Sequence, residues 1–378
     1  MNHVFIVTTS FPDAAFQPGQ EAAGAFVADF AEALSRQVHV TVVAPSSRDD
    51  EEQGERLSIR RFAVPKLPLS LLDPINPAHW PAIIKTLRAG QAALNSAVSQ
   101  APPDHIFALW ALPSGYWANQ VRRHRGIPYS TWALGSDIWT LGRVPLVKNM
   151  LRNVLRASRL RFADGVRLTN DVKAISGMDC WFLPSSRTLP ARPAKRLAAQ
   201  PPYRLAFLGR WHPNKGIDLL LESLGRLTGD DWHRIESVRI CGGGPLEGLV
   251  RERCATLEHA GRPVKMMGYL NKQEATALMG WADYVMLPSR IESIPVVFSD
   301  AMQGGCPIVC SPVGDLPHLI DKYKIGQVAR EVGADAFAEA LRHILLRSPA
   351  SYEPGLHVAA HDFSVETAAA AFLQRITG

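Results

Sequence analysis

Two cations follow a glycine where a predicted strand ends in the second half of the chain. The strand-like run 204–208 leads to Gly209 and Arg210, and Lys215 comes five residues later, before a helical pattern. In an open parallel sheet, exposed N–H groups and the helix dipole at such positions favour anions. Arg210 and Lys215 are therefore candidates to bracket a diphosphate and to stabilise its charge as it leaves. Two solvated loop cations would give the same pattern.

Two carboxylates follow another predicted strand, Tyr284–Leu287. Glu292 comes just before Pro295, which suits a first helical turn, and Asp300 falls roughly a turn and a half inside that helix. We therefore expect the two acids at different heights beside one pocket. Taken singly, Glu292 also fits a helix-capping acid and Asp300 fits a surface residue.

A glycine-rich turn follows a third predicted strand and lets the backbone approach a ligand closely. It comprises Gly242, Gly243 and Gly244, before Pro245. A dinucleotide-binding fingerprint also needs a third, spaced glycine and an acid about 20 positions further on. Because Glu247 occupies that glycine position and 260–264 has no acid, the pattern disfavours an NAD-dependent dehydrogenase.

Strand and helix patterns alternate along both halves of the chain, which predicts an α/β fold of two Rossmann-like, doubly wound parallel sheets. The predicted strands are 4–7, 38–43, 105–110, 129–134, 166–169, 204–208, 237–241, 264–267, 284–287 and 307–310. Helices are predicted to start near Gly216, Pro245, Lys272, Pro295 and Leu316.

A proline-rich, basic stretch between Leu183 and Tyr203 predicts an exposed connection between two domains. We place the first domain at 1–190 and the second at 200–355. A last helix is expected within 361–378, with Ser364 as its N-cap.

The C-terminal motifs resemble those of the retaining family-4 glycosyltransferases, which have the GT-B fold. The motifs are LGRWHPNKG, CGGGPLEGL, MMGYL and LPSRIESIPVVFSDAMQGGCPIVCSPVGDLPHLI, in matching order and spacing. Two glutamates separated by seven residues mark the donor site of that family, and here the pair is Glu292 and Asp300. The resemblance implies two domains facing a cleft, with the donor in the C-terminal half and the acceptor in the N-terminal half.

The same resemblance implies a role for each candidate residue. Arg210 and Lys215 would hold the diphosphate, Glu292 would contact the sugar hydroxyls, and these three form the implied catalytic set. Asp300 would bind the ribose hydroxyls. The remaining implied donor-site positions are Gly209, Gly244, Gly268 near the base, and the N–H groups of Ile294, Val296 and Val297.

In the N-terminal half the resemblance involves fewer residues. Gly24 resembles the glycine of the family's first loop, and Leu134-Gly135-Ser136-Asp137 resembles its His-Gly-Ser-Asp turn. Asp137 would lie on the acceptor side, although a turn-forming Asp fits equally. Leu134 stands where many members have a His near the reacting sugar. The terminal helix is expected to pack back on the first domain.

The implied reaction moves a hexose from a nucleotide-diphosphate sugar, such as UDP- or GDP-hexose, to a glycan or lipid-linked acceptor with retention of configuration. It needs no metal and no cofactor beyond the donor itself. The alternatives are a GT-B protein that binds without transferring, which Leu134 and Asp300 suggest, and a sugar-nucleotide epimerase. Turnover of a nucleotide sugar would distinguish the transferase from the non-transferring protein.

The net charge is +6, without the cationic tract typical of nucleic-acid binding. Six cations and no acid fall within 143–161, interleaved with apolar residues at helical spacing. This pattern suits either contact with an anionic membrane or an ordinary packed helix. Scattered cysteines, the lack of a leader pattern and the lack of a spanning segment favour a cytoplasmic protein, either free or at the cytoplasmic face of the membrane.

Overall fold

The computed structural model describes residues 1–13, 24–140, 145–190, 195 and 197–378. The chain forms two compact units. The first comprises Met1–Ser185 with Val365–Gly378, and the second comprises Ser186–Ser364. The predicted domains, 1–190, 200–355 and 361–378, differ from these units mainly in where the second one begins and ends.

The first unit is built on an eight-stranded sheet in the order β3-β4-β2-β1-β5-β6-β7-β8. Every neighbouring pair is parallel except β3 and β4. The strands are β1 (His3–Val7), β2 (His39–Ser46), β3 (Asp50–Glu52), β4 (Leu57–Ala63), β5 (His105–Leu109), β6 (Tyr129–Ala133), β7 (Arg161–Ala163) and β8 (Trp181–Phe182).

Helices connect these strands, and one from the end of the chain joins them. They are α1 (Ala25–Ser35), α2 (Trp80–Gln100), α3 (Ser114–Arg125), α4 (Ser136–Trp139), α5 (Pro145–Ala157), α6 (Val166–Ser176) and, from the C-terminus, a helix at Val365–Thr377. The C-terminal helix, which becomes α15 in chain order, packs along α1. Its Phe372 is buried and stacks on Phe107 of β5 at 4.0 Å between ring centroids.

The predicted strand at 166–169 is wrong. Those residues form the first turn of α6, and the strand is β7, whose three residues are all buried. Arg161 hides this strand from a hydrophobicity pattern, because a buried arginine is unusual. Its guanidinium is satisfied by the carbonyl oxygens of Leu155, Ser158 and Asp179.

The second unit is built on six parallel strands in the order β11-β10-β9-β12-β13-β14. They are β9 (Tyr203–Arg210), β10 (Ile235–Gly243), β11 (Val264–Met267), β12 (Tyr284–Leu287), β13 (Ile308–Cys310) and β14 (Gly326–Val328). This is the strand order of a Rossmann fold. The predicted class, two doubly wound parallel-sheet domains, is confirmed.

Eight helices, α7 to α14, lie within the described part of this unit. They are α7 (Ile217–Gly225), α8 (Gly229–Trp232), α9 (Glu247–His259), α10 (Lys272–Trp281), α11 (Val296–Gln303), α12 (Leu316–Tyr323), α13 (Ala334–Leu345) and α14 (Glu353–Asp362). Local sequence sets their starts: Asn271 and Glu274 form a capping box at α10, and Pro295 is the N-cap of α11.

The connection between the units departs from the exposed segment predicted for 183–203. Leu183, Ser186 and Leu189 are buried, and Leu189 joins the core of the second unit. Residues 187–189 lie along α11. There the side-chain amide of Gln303 accepts a hydrogen bond from the Leu189 N–H and donates one to the Arg187 carbonyl oxygen. Residues 191–194 and 196, within the same prediction, lie outside the described residues.

Candidate active site

The predicted donor-binding loops lie close together in the second sheet, at the point where the chain connections diverge to opposite sides. Strands β9 and β12 are parallel neighbours, with Leu205 opposite Tyr284 and Ala206 opposite Val285. The chain leaves β9 towards β10 on one side and β12 towards β13 on the other. Connections that diverge in this way open a crevice outside the carboxyl ends of the strands, where ligands of such sheets bind.

Lys215 and Glu292 come together across this crevice, since Lys215 Nζ forms an ion pair with Glu292 Oε1. Lys215 ends a short 3₁₀ turn after β9, and Glu292 lies in the loop between β12 and α11. The lysine is about a third exposed and the glutamate is 13% exposed. Two residues 77 positions apart in sequence therefore place a cation and an anion at one accessible point.

Arg210 ends β9 with an exposed side chain. Across 1–13, 24–140, 145–190, 195 and 197–378, no side chain or carbonyl forms a hydrogen bond or ion pair with its guanidinium. Gly244 lies directly beside it: a methyl group there would be 3.2 Å from Arg210 Cγ and 2.8 Å from the Trp211 carbonyl oxygen. Gly244 also has a φ of 146°, so glycine is required there for both space and backbone conformation.

Gly209 and Gly268 flank the glycine-rich turn on its two sides. A methyl group on Gly242 would lie 1.9 Å from the Gly209 carbonyl oxygen, so the turn packs directly on the end of β9. The Gly242 N–H donates to the carbonyl oxygen of Gly268 at 3.0 Å. Gly268 is exposed at the carboxyl end of β11, with open space beside its Cα.

Helix α11 begins at Val296, so the first N–H groups of the helix include those of Val296 and Val297. The first N–H groups of any helix lack partners one turn earlier and carry the positive end of its dipole. Ile294 precedes the helix and its side chain is buried, which fixes the direction of the loop. The three predicted backbone donors thus lie at or just before one helix N-terminus.

Asp300 lies inside α11 with no exposed surface. Arg187 Nε donates to its Oδ1 at 2.7 Å, and Arg187 Nη2 bonds to Oδ2. The predicted ribose contact is therefore covered by an arginine of the connection between the units. The sequence does not reveal the role of Arg187, because Arg187 and Asp300 are 113 positions apart and leave no local signal.

Arg290 is a second residue whose role the sequence did not reveal. Both of its terminal nitrogens bind Asp218, at 2.7 and 2.8 Å, and Nη1 also donates to the Pro213 carbonyl oxygen at 2.8 Å. Burial raises the pKa of Asp218, but the hydrogen bond and charge of Arg290, together with backbone hydrogen bonds at the start of α7, hold this pKa below its ordinary value. The sequence signal that could have indicated this pair was an acid in the first turn of α7 together with an arginine just after a strand.

The acceptor-side candidates lie in the first unit. Gly24 caps α1, and a methyl group there would lie 2.8 Å from the Phe11 backbone. Asp137 is buried, and its carboxylate accepts the N–H groups of Ala111 at 2.6 Å and Leu134 at 3.1 Å. Burial raises the pKa of Asp137 to about 6, although these backbone hydrogen bonds act to lower it.

The basic stretch 143–161 forms α5 and the start of β7, while 143–144 lie outside the described residues. Leu151, Val154 and Leu155 of α5 are buried in the core of the first unit. Arg152 and Arg156 donate to the carbonyl oxygens of Ile175 and Ser176 at the end of α6. These residues therefore act as in an ordinary packed helix, and much of the apolar face is used internally.

Among residues 1–13, 24–140, 145–190, 195 and 197–378, no group of three or more His, Cys, Asp or Glu side chains could hold a metal ion. No helix there is long and apolar enough to cross a membrane.

Residues 202–347 match the family described as glycosyl transferases group 1. A D-inositol 3-phosphate glycosyltransferase of Corynebacterium aurimucosum is 30% identical over 44% of this chain and 40% of its own length. A putative teichuronic acid biosynthesis glycosyltransferase, TuaC of Bacillus subtilis, is 27% identical over 63% of this chain. The chain therefore spans 40% and 60% of these two relatives.

A third relative matches almost end to end. It is the GDP-mannose-dependent alpha-(1-6)-phosphatidylinositol monomannoside mannosyltransferase of Mycolicibacterium smegmatis, 24% identical over 99% of this chain and 98% of its own length.

Solved structures share the fold of this chain. Sucrose-phosphate synthase of Thermosynechococcus elongatus aligns with a TM-score of 0.75 and 17% identity. The alignment covers 100% of this chain and 98% of the synthase structure. HepE of Anabaena, in complex with UDP and glucose, covers all of both chains with a TM-score of 0.70 and 14% identity. The chain thus has the GT-B fold, and its residues 202–347 are similar to the family of glycosyl transferases group 1.

Proposed function

We propose that this protein is a glycosyltransferase that moves a hexose from a nucleotide-diphosphate sugar to a glycan or lipid-linked acceptor, with retention of configuration and without a metal. The observation that carries the proposal is the pairing of Lys215 with Glu292 at the switch point of a Rossmann-ordered sheet. A cation for the diphosphate and a carboxylate for sugar hydroxyls are the two groups that such a donor needs at adjacent points.

The ion pair is compatible with donor binding. On donor binding, the diphosphate would replace Glu292 as the partner of Lys215, and the sugar hydroxyls would replace Lys215 as the partner of Glu292. Neither side chain therefore has to move far. Arg210, exposed beside Gly244, supplies a second cation. Transfer then depends on charge stabilisation of the leaving diphosphate and on alignment of the acceptor, as in other reactions catalysed by fixed cations.

The N-terminus of α11 supports the same assignment. The N–H groups of Val296 and Val297 carry the positive end of the helix dipole, and Pro295 between Ile294 and Val296 contributes none. We assign these donors to a phosphate or sugar oxygen. Gly209, Gly244 and Gly268 let backbone approach the nucleotide.

Asp300 reaches a ribose only if Arg187 moves, because the two form a buried pair. This contact favours a second candidate function, a GT-B protein that binds a nucleotide sugar without transferring it. Leu134, in place of the family's histidine, points the same way. Turnover decides between the two candidates, since both predict binding.

The acceptor and the location belong to the proposal as well. Relatives named for phosphatidylinositol monomannoside and inositol phosphate acceptors make a lipid-linked or glycan acceptor reasonable. Five free cysteines, four of them buried, fit a reducing cytoplasm. Any contact of 143–161 with an anionic membrane would be electrostatic, through exposed Lys148 and Arg159.

A thermal-shift screen of UDP-, GDP- and ADP-sugars tests the donor, because a ligand of the folded state raises the Tm. The stabilising donor is then incubated with candidate acceptors in the presence of EDTA, and NMR of the product reports the anomeric configuration. We expect transfer with retention that EDTA does not abolish. Binding without any release of nucleotide would instead favour the non-transferring protein.

A further inference from the structure

Arg290 ties the loop that carries Lys215 to the loop that carries Glu292. Its backbone N–H donates to the Asn214 carbonyl oxygen at 2.8 Å, and its Nη1 donates to the carbonyl oxygen of Pro213 at 2.8 Å. Both acceptors lie in the turn that ends with Lys215. Arg290 itself lies two residues before Glu292, so one residue contacts the supports of both partners.

A bidentate ion pair completes this clamp. The Arg290 guanidinium binds the two carboxylate oxygens of Asp218, at 2.7 and 2.8 Å, and Asp218 is in the first turn of α7. Such forked pairs fix direction as well as distance, which a lysine cannot do. Lys215 is therefore held on both sides, by bonds to Pro213 and Asn214 before it and by Asp218 after it.

The backbones of the two loops also lie in close contact at the next residue. Gly216 has a φ of 67°, and a methyl group there would lie 1.9 Å from the Pro288 carbonyl oxygen. Arg290 thus provides a side-chain connection between the loops, in addition to the Lys215–Glu292 pair, at a junction that Gly216 makes tight. The position of Lys215 in the crevice is therefore determined by the contact between the two loops and not by its own loop alone.

We propose that Arg290 is a positioning residue that sets the alignment of Lys215 with Glu292, and through it the activity of the site. This inference rests on the proposed function for its effect on transfer, but the alignment itself is independent of that function. Arg290 is assigned no contact with a reacting atom and acts only through Lys215.

The alignment is tested first by labelling. Lys215 in wild type should react slowly with acetic anhydride, because its amine is paired, and peptide mass spectrometry measures the rate. Arg290→Gln should raise the Lys215 rate severalfold while leaving the rates of other lysines unchanged. The matched control is Arg251→Gln, which removes an exposed arginine pair with Glu247 in the same unit. Equal Lys215 rates in Arg290→Gln and wild type would overturn the inference.

Activity gives the second test. Arg290→Gln should lower kcat/KM roughly a hundredfold, as expected when a reacting group is misplaced by about 1 Å. On a Lys215→Ala background the same substitution should have almost no further effect, and Arg290→Lys should not restore the wild-type value. Independent, multiplying losses would show that Arg290 does not act through Lys215. If wild type transfers no sugar while the labelling result holds, the proposed function fails and the positioning role stands.

Discussion

The carboxylate of Asp137 accepts the backbone N–H of Ala111 at 2.6 Å, although the two residues follow different strands of the first sheet. Asp137 is in α4 after β6, and Ala111 follows β5. A second bond, from the Leu134 N–H at 3.1 Å, holds the turn that contains Asp137 itself. This acid therefore braces two strand-end loops, and its pKa of about 6 reflects complete burial.

Asp137 should make the free energy of unfolding depend on pH. The unfolded acid titrates near its ordinary value of 3.8 and the folded acid near 6, so the folded state binds the extra proton between these values. The stabilisation from this group is therefore full below about pH 4 and is lost as the pH rises through about 6, on the order of 2 to 3 kcal/mol.

Comparison with Asp137→Asn isolates this contribution, because asparagine does not titrate. Urea unfolding at pH 4.5 and 7.5 should show the variant gaining stability relative to wild type at the higher pH. A constant difference between the two proteins at both values would contradict the raised pKa.

The buried pair of Arg187 and Asp300 predicts an asymmetric effect of substitution. Arg187→Met leaves a carboxylate buried without its counter-charge, which should cost about 3 to 5 kcal/mol of unfolding free energy. Asp300→Asn should cost less, because the arginine is 14% exposed and can turn towards water. The double variant, measured by urea unfolding, should recover part of the Arg187→Met loss. Additive losses would mean that the two side chains do not interact energetically.

Arg210 and Lys215 should both be needed for transfer, and Arg210 should not be needed for stability. Arg210→Ala and Lys215→Ala should each lower the transfer rate about a hundredfold, the loss expected for one fixed donor to a developing anion. Arg210→Ala should leave the Tm within about a degree of wild type, since the exposed side chain has no partner among the residues of the described ranges. Near-normal turnover in both variants would remove the proposed catalytic role.

Gly216→Ala should destabilise the second unit and reduce activity together. The alanine would need a left-handed backbone, costing about 1 to 2 kcal/mol, and its methyl group would meet the Pro288 carbonyl oxygen at 1.9 Å. Gly248→Ala is the matched control, since that glycine lies in α9 with open space around it and alanine favours helices. Calorimetry should show a lower Tm for the first variant and an equal or higher Tm for the second.

Sequence periodicity predicted those elements that local hydrophobicity determines. Strands β11 and β12 begin and end at the predicted residues, and α10 and α12 begin where predicted. The prediction at 166–169 was wrong because β7 contains a buried arginine, whose hydrogen bonds no local pattern reveals. The order of the strand-end loops along the chain could be predicted from the sequence, whereas the contacts between these loops could not.

The residues of the candidate site likewise fall into those that the sequence identifies and those that it does not. Arg210, Lys215 and Glu292 could be chosen because each follows a strand that the sequence reveals. Arg187 could not, since it lies in a basic connection that resembles solvent-exposed chain until its pairing with Asp300 is known. Specific long-range pairs depend on the packing of the whole unit, and this information is distributed over many residues.

The return of α15 to the first unit has a consequence for synthesis of the protein. Phe372 stacks on Phe107 and also contacts the rings of Phe30 and Phe162, so the aromatic core of this unit needs a residue that is synthesised after the whole second unit. At translation rates of about 5 to 20 residues per second, the early strands wait on the order of ten seconds or longer for this ring. The second unit, which ends at Ser364, can close its core before the first one does, reversing the usual order of folding on the ribosome.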